Sequence, residues 1–205
     1  MGRDHTSSRN QVQMRQRIAH LAARVMVEDG IDDYALAKRK AARQAGVSET
    51  RSLPTNDEID EAIRLHHELY RDTEQRDRLR DLRVSALAAM REFERFTPRL
   101  SGPVLTGLAG KYTGITLHLF PENAKDVEIF LINRGVPFDP ADTRFFMGRE
   151  ARSLSTYQTE TRPPHGDDLR LVLFERNDLR QVTRATQDGR PLERATAQEV
   201  EQLIQ

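Results

Sequence analysis

Apolar residues recur through the first hundred positions with the spacing of a helix face. Ile18, Leu21, Ala22 and Val25 stand at i, i+3, i+4 and i+7, which puts them on one side of an α-helix. Gly30 supplies a stop for it. Asp32 or Asp33 caps a second helix through "YALAKRKAARQAG", closed by Gly46. After a loop with Pro54, Thr55 and Glu58 have capping-box spacing. Behind them Ile59, Ile63, His66 and Tyr70 share a face. The next segment, "RDTEQRDRLRDLRVSALAAMREFERF", carries the i, i+4 pairs Asp72 to Arg76 and Glu74 to Arg78. Its apolar stripe is Leu79, Leu82, Ala86, Ala89, Met90 and Phe93, and Pro98 ends it. Antiparallel packing of these helices buries their stripes against one another.

From residue 102 the apolar runs shorten. "PVLTGLA" and "GITLHLF" read as two neighbouring strands. In the second, Ile115, Leu117 and Leu119 point one way and Thr116, His118 and Phe120 the other. "NAKDVEIFLINRG" is a helix capped by Asn123, lined by Val127, Phe130 and Leu131 and ended by Gly135. "TRFFMG", "TYQTET" and "LRLVLFER" are three more strands, with "RPPHGDD" as the turn between the last two. "TQDGRPLER" is a loop, and "TAQEVEQLIQ" a closing helix with Thr196 and Glu199 as another capping box. The layout is four helices, then ββαβββ, then one helix. That is an α+β chain whose helices are segregated from a small mixed sheet. It divides into a flexible tail (residues 1–9), a helical region (10–100) and an α+β domain (101–205).

Composition narrows the function more than the fold. Charged residues make up 31% and apolar ones 37%, but the apolar positions are periodic, as in a folded chain. Lys and Arg total 32, as do Asp and Glu, so any attraction to nucleic acid must be local. No cysteine is present, which removes disulfides, thiolate zinc sites and cysteine nucleophiles and fits a cytoplasmic location. No apolar run approaches the ~20 residues of a membrane helix. The start lacks the apolar segment of a secretory signal. Gly2 and Thr6 match the myristoylation pattern, which is short enough to recur by chance.

The glycine-rich stretch "TGLAGKYTG" places Gly107, Gly110, Lys111 and Gly114 between the first two strands. Phosphate-cradling loops use glycine so that backbone N–H groups can approach the anion, but they normally open a helix. Here a strand follows, and a plain connection between strands explains the glycines as well. His118 shares the Thr116 side of its strand. With Lys111 at the rim these residues suggest a shallow pocket; a histidine packed against the sheet is the plainer explanation. His66 and His67 are adjacent on a helix and point apart, and His165 sits in a turn, so no metal-ligand set emerges. Ser101, Ser153 and Ser155 lack any nucleophile motif. Lys38, Arg39, Lys40 and Arg43 cluster near a helix C-terminus, with Arg51 beyond. They complement the helix dipole, or they contact RNA or an acidic partner. Tyr34 is the lone aromatic nearby, so base stacking is scarce.

A strand ending in glycine, a short turn, a second strand and a helix resemble the start of polymerase-β-type nucleotidyltransferase domains. More closely, "VMVEDGIDDYALAKRKAARQAG" with "AKDVEIFLINRGVPF" resembles a family of uncharacterised bacterial proteins labelled nucleotidyltransferase-like. The resemblance implies a Gly-Ser or Gly-Gly turn after the first strand, two alternate carboxylates on the second and a third on a later strand. Together these hold two Mg²⁺ ions against a nucleoside triphosphate. In this chain Gly107 takes the turn and Leu108 follows it. Gly114 and Thr116 occupy the carboxylate positions. "LRLVLFER" offers Arg170 and Val172, or Leu169 and Leu171, with Asp167 and Asp168 just before it. Mg²⁺ lacks its hard oxygen ligands there. The resemblance therefore implies a divergent, non-catalytic member, a pseudoenzyme. It would bind a nucleotide, a nucleic acid or a protein partner through Gly107, Gly110, Lys111, Thr116 and His118. One alternative is an RNA- or ribonucleoprotein-binding module built on Lys38, Arg39, Lys40 and Arg43. Another is an active Mg²⁺-dependent nucleotidyltransferase with acids relocated to Asp167, Asp168 and Glu175.

Overall fold

The structure, a computed structural model, describes residues 4–29, 31, 33–47, 53–69, 73–148, 150–161, 166–184 and 191–205. The expectations placed on Gly2, Gly30, Asp32, Arg51, Tyr70, Asp72 and His165 lie outside the described residues, as do those on the side chains of Thr6, His67 and Glu74. Contacts divide the chain into two units, Met1–Gln75 with Leu108–Thr113, and Arg76–Gly107 with Gly114–Gln205. The expected boundary was residue 100.

The first unit is helical. α1 spans Asp4–Asp29, so it includes most of the stretch read as a flexible tail. α2 (Tyr34–Gln44) starts where the Asp33 carboxylate accepts from the N–H groups of Ala35 and Leu36. α3 (Asn56–Leu69) starts at Thr55, whose hydroxyl accepts from Glu58 N–H while Glu58 accepts from Thr55 N–H. Both α2 and α3 contact α1. Ile18, Ala22, Val25, Ala37, Ala41, Ile59 and Ile63 form the core, with Leu108 packed against it. The periodicity of residues 18–25 is thus the buried stripe it predicts.

The second unit is α+β. α4 (Thr73–Glu92) contributes the buried stripe Leu82, Ala86, Ala89 and Met90. Then come β1 (Arg99–Ser101), α5 (Pro103–Thr106), β2 (Ile115–Leu119), α6 (Ala124–Asn133), β3 (Asp139–Met147), β4 (Glu150–Glu160), β5 (Asp168–Leu173), β6 (Thr183–Arg184) and α7 (Ala197–Gln202). The sheet has the order β1-β2-β5-β4-β3-β6. β2 and β5 are parallel and every other pair is antiparallel. No helix among the described residues is long and apolar enough to cross a membrane.

One expected strand is absent. "PVLT" is a helical turn, and the strand beside β2 is the three-residue "RLS" before it. Pro103 has no N–H to leave unsatisfied at a helix start. Gly102 and Gly107, both at φ 79°, bracket the turn in a region that favours glycine. A short apolar run with β-branched Val104 and Thr106 beside a glycine-rich connection made this segment look like a strand.

The two faces of the sheet differ. Leu100, Ile115, Leu117, Leu119, Leu169, Leu171 and Leu173 occupy one face and are each at most 5% exposed. The other face is closed at one end by a cluster of Phe120, Phe145, Met147, Leu154, Val172 and Phe174. At its opposite end the cluster stops and polar residues take over.

Candidate functional site

Register aligns these polar residues in rows. Ser101 lies opposite Thr116, Thr116 opposite Arg170, and Arg170 opposite Gln158. One step nearer the cluster, Arg99 stands opposite His118, His118 opposite Val172, and Val172 opposite Thr156. One step the other way, Asp168 stands opposite Glu160 and beside Gly114. Residues two apart on a strand share a face, so Asp168, Arg170 and Val172 are on the same side.

His118 closes this face rather than lining an opening in it. Its side chain is buried, and Nδ1 accepts from Arg194 Nε at 3.1 Å. The neutral imidazole therefore carries its proton on Nε2. The Arg194 guanidinium also donates to the Asp178 carbonyl and the Thr183 hydroxyl. It lies 4.6 Å from the Phe174 ring centroid and 5.1 Å from that of Phe120. Burial, and after it the Arg194 charge, lower the His118 pKa to about 3. The expected pocket residue is a structural one.

The glycine loop is likewise a packing device. A Cβ on Gly110 would come 2.9 Å from the Val27 carbonyl oxygen. The Gly110 N–H is already donated to the Thr113 hydroxyl at 2.8 Å. It is not held out for a phosphate. Lys111 is exposed, with Nζ 5.4 Å from the Tyr112 ring centroid. Gly110 and Lys111 belong to the first unit, whereas Gly107, Thr116 and His118 belong to the second. Gly107 follows α5 as its cap.

The three acids proposed to have relocated do not meet. Asp167 is buried and paired with Arg78 at 2.8 Å. Glu175 is bonded to Arg152 at 2.5 Å and caps the turn Arg176–Arg180 together with Asp178. Asp168 alone of the three stands on the Thr116 face. β5 separates it from Glu175 by more than its own length of about 17 Å, too far to share an ion. Among the described residues no group of three His, Asp or Glu side chains could hold a metal.

Arg170 is not among the site residues expected from the sequence. It is half-buried, and its Nε is a buried donor with no acceptor. A buried donor left unsatisfied costs about 1–3 kcal/mol. Its signal was a lone cation at an alternating position of an apolar strand, "LRLVL".

On α2 the basic cluster splits. Lys38 donates to Asn56 at 2.7 Å, and burial is the chief cause that lowers its pKa. Lys40 pairs with Asp29 at 3.4 Å. Arg39 and Arg43 are exposed and one turn apart.

No family model, no curated protein and no solved structure matches this chain.

Proposed function

We propose that this chain is a divergent, non-catalytic nucleotidyltransferase-fold protein that binds a nucleotide on the half-open face of its sheet. One observation carries the reading. The row Thr116, Arg170, Gln158 presents hydroxyl, guanidinium and amide donors where the resemblance calls for metal-holding carboxylates. The scattering of Asp167, Asp168 and Glu175 counts against the active transferase. Calorimetry and thermal shift with ATP, GTP, CTP and UTP test the proposal. The expected outcome is saturable heat and a raised melting temperature with at least one of them, without pyrophosphate release. No response to any nucleotide removes it.

A second reading, RNA binding through α2, is favoured by Arg39 and Arg43, the two cations of the cluster that are exposed and free of a described ion pair. It predicts RNA affinity that falls steeply with salt and is lost in Arg39→Ala/Arg43→Ala. Unchanged binding by that variant sinks it.

A further inference from the structure

We infer that Arg170 does the work a metal ion would otherwise do on this face: it binds the phosphate oxygens of the ligand directly, so binding needs no divalent cation. The inference rests on the nucleotide reading above and specifies how that site holds its ligand.

Three observations place the group. Arg170 stands on the strand parallel to β2, directly opposite Thr116. A cation there occupies the row in which acidic side chains would gather a metal. Its Nε is a buried donor without an acceptor, and no ion pair among the described residues engages its guanidinium. Arginine presents a planar fork of donors matched to phosphate oxygens. An anion entering from the polar end of the face supplies the acceptor that the sheet does not. Thr116 and Gln158, on either side of Arg170, add a hydroxyl and an amide that can donate to the same group.

Asp168 and Glu160 oppose this assignment electrostatically. They face each other in the next row, both exposed, and they compete with an anion for the guanidinium. This yields a sign that separates two mechanisms. If acids on this face held a metal, removing them would weaken binding. If Arg170 holds the phosphate, removing them tightens it.

The test is calorimetry on the intact protein with each nucleoside triphosphate and with inorganic triphosphate, in EDTA and in Mg²⁺. Binding in EDTA is expected to be at least as tight as in Mg²⁺. Arg170→Gln is expected to weaken it by about ten- to a hundredfold, the equivalent of one charge-assisted hydrogen-bonded contact. Arg170→Lys, which keeps the charge and the fold but loses the fork, should weaken it less. Asp168→Asn/Glu160→Gln should tighten it. Nucleotide binding that requires Mg²⁺, or that Arg170→Gln and Arg170→Lys leave unchanged, overturns the inference and leaves the nucleotide reading standing. Binding of inorganic triphosphate alone, lost in Arg170→Gln, supports the inference and removes the nucleotide. Binding of neither removes both.

Discussion

Gly114 and Thr116 occupy the two positions where the resemblance calls for carboxylates, and their surroundings differ. A Cβ on Gly114 would lie 3.0 Å from both the Cβ and the backbone oxygen of Asp168. Backbone cannot yield as a flexible side chain does, so an aspartate there is overpacked. Gly114→Asp is expected to cost about 1–3 kcal/mol in urea unfolding. Gly114→Asp/Thr116→Asp is expected to show no saturable Mg²⁺ binding by calorimetry. Thr116 alone is half-exposed and should accept the change with less loss. His118 gives a pH-dependent prediction. The unfolded histidine takes up a proton below about pH 6.5, while the folded one stays neutral down to about 3. Protons therefore favour the unfolded chain in that interval. The stability contributed by neutral His118 is complete above pH 6.5 and falls by up to about 1.4 kcal/mol per pH unit as the pH drops toward 3. Denaturant unfolding at pH 7 and pH 4.5 should show a smaller loss in His118→Gln than in the parent protein.

Side chains satisfy backbone groups at the helix ends. The Thr196 hydroxyl accepts from Glu199 N–H, and the Glu199 carboxylate accepts from Thr196 N–H at 2.7 Å. Thr196→Ala is expected to cost about 0.5–2 kcal/mol, measured by the shift in denaturation midpoint. Arg83 ties two helix ends at once. Its guanidinium donates to the carbonyls of Val104 and Leu105 at the end of α5 and of Leu203 after α7. Arg83→Met leaves those carbonyls without their donor and should cost about 1–3 kcal/mol. Arg76→Ala, at an exposed position of α4, should stay within about 0.5 kcal/mol. The Thr55 and Thr196 capping boxes were visible in the sequence because each is written in four consecutive residues, whereas the Glu175–Asp178 box was not read from it. The contacts of Arg83 were not, since its partner carbonyls lie up to 120 positions away.

For the whole molecule, net charge and core placement set the behaviour in solution. The formal charge is +0 at pH 7, so colloidal repulsion is weakest near neutrality. Light scattering at low salt is expected to show association rising toward pH 7 and falling on either side. Leu117 is fully buried on the closed face of the sheet, and Leu117→Ala should cost about 2–5 kcal/mol. Its burial was readable from the alternation in "ITLHL". The fate of the opposite face was not readable, because alternation assigns a residue to a side without saying what covers that side. His118 and Thr116 share a face and a strand, yet His118 is sealed under Arg194, 76 positions along the chain, while Thr116 remains half-exposed.

The sequence by itself determined what depends on near neighbours. Helix stripes repeat every three or four residues, caps span four, and strand alternation has a period of two; each is decided by contacts within a turn or a pleat. It therefore specified α2, α3, α4, α6 and α7, all of α1 but its first turns, and the apolar side of β2, while it left both sides of β5 open. Tertiary structure decided which distant segments meet. Pairing β5 with β2 set Arg170 beside Thr116, and bridging residues 191–195 to the edge strands, Pro191 to Arg184 and Ala195 to Leu100, brought Arg194 onto His118. Such pairings close long loops and are selected by burial over the whole unit, so no local pattern encodes them.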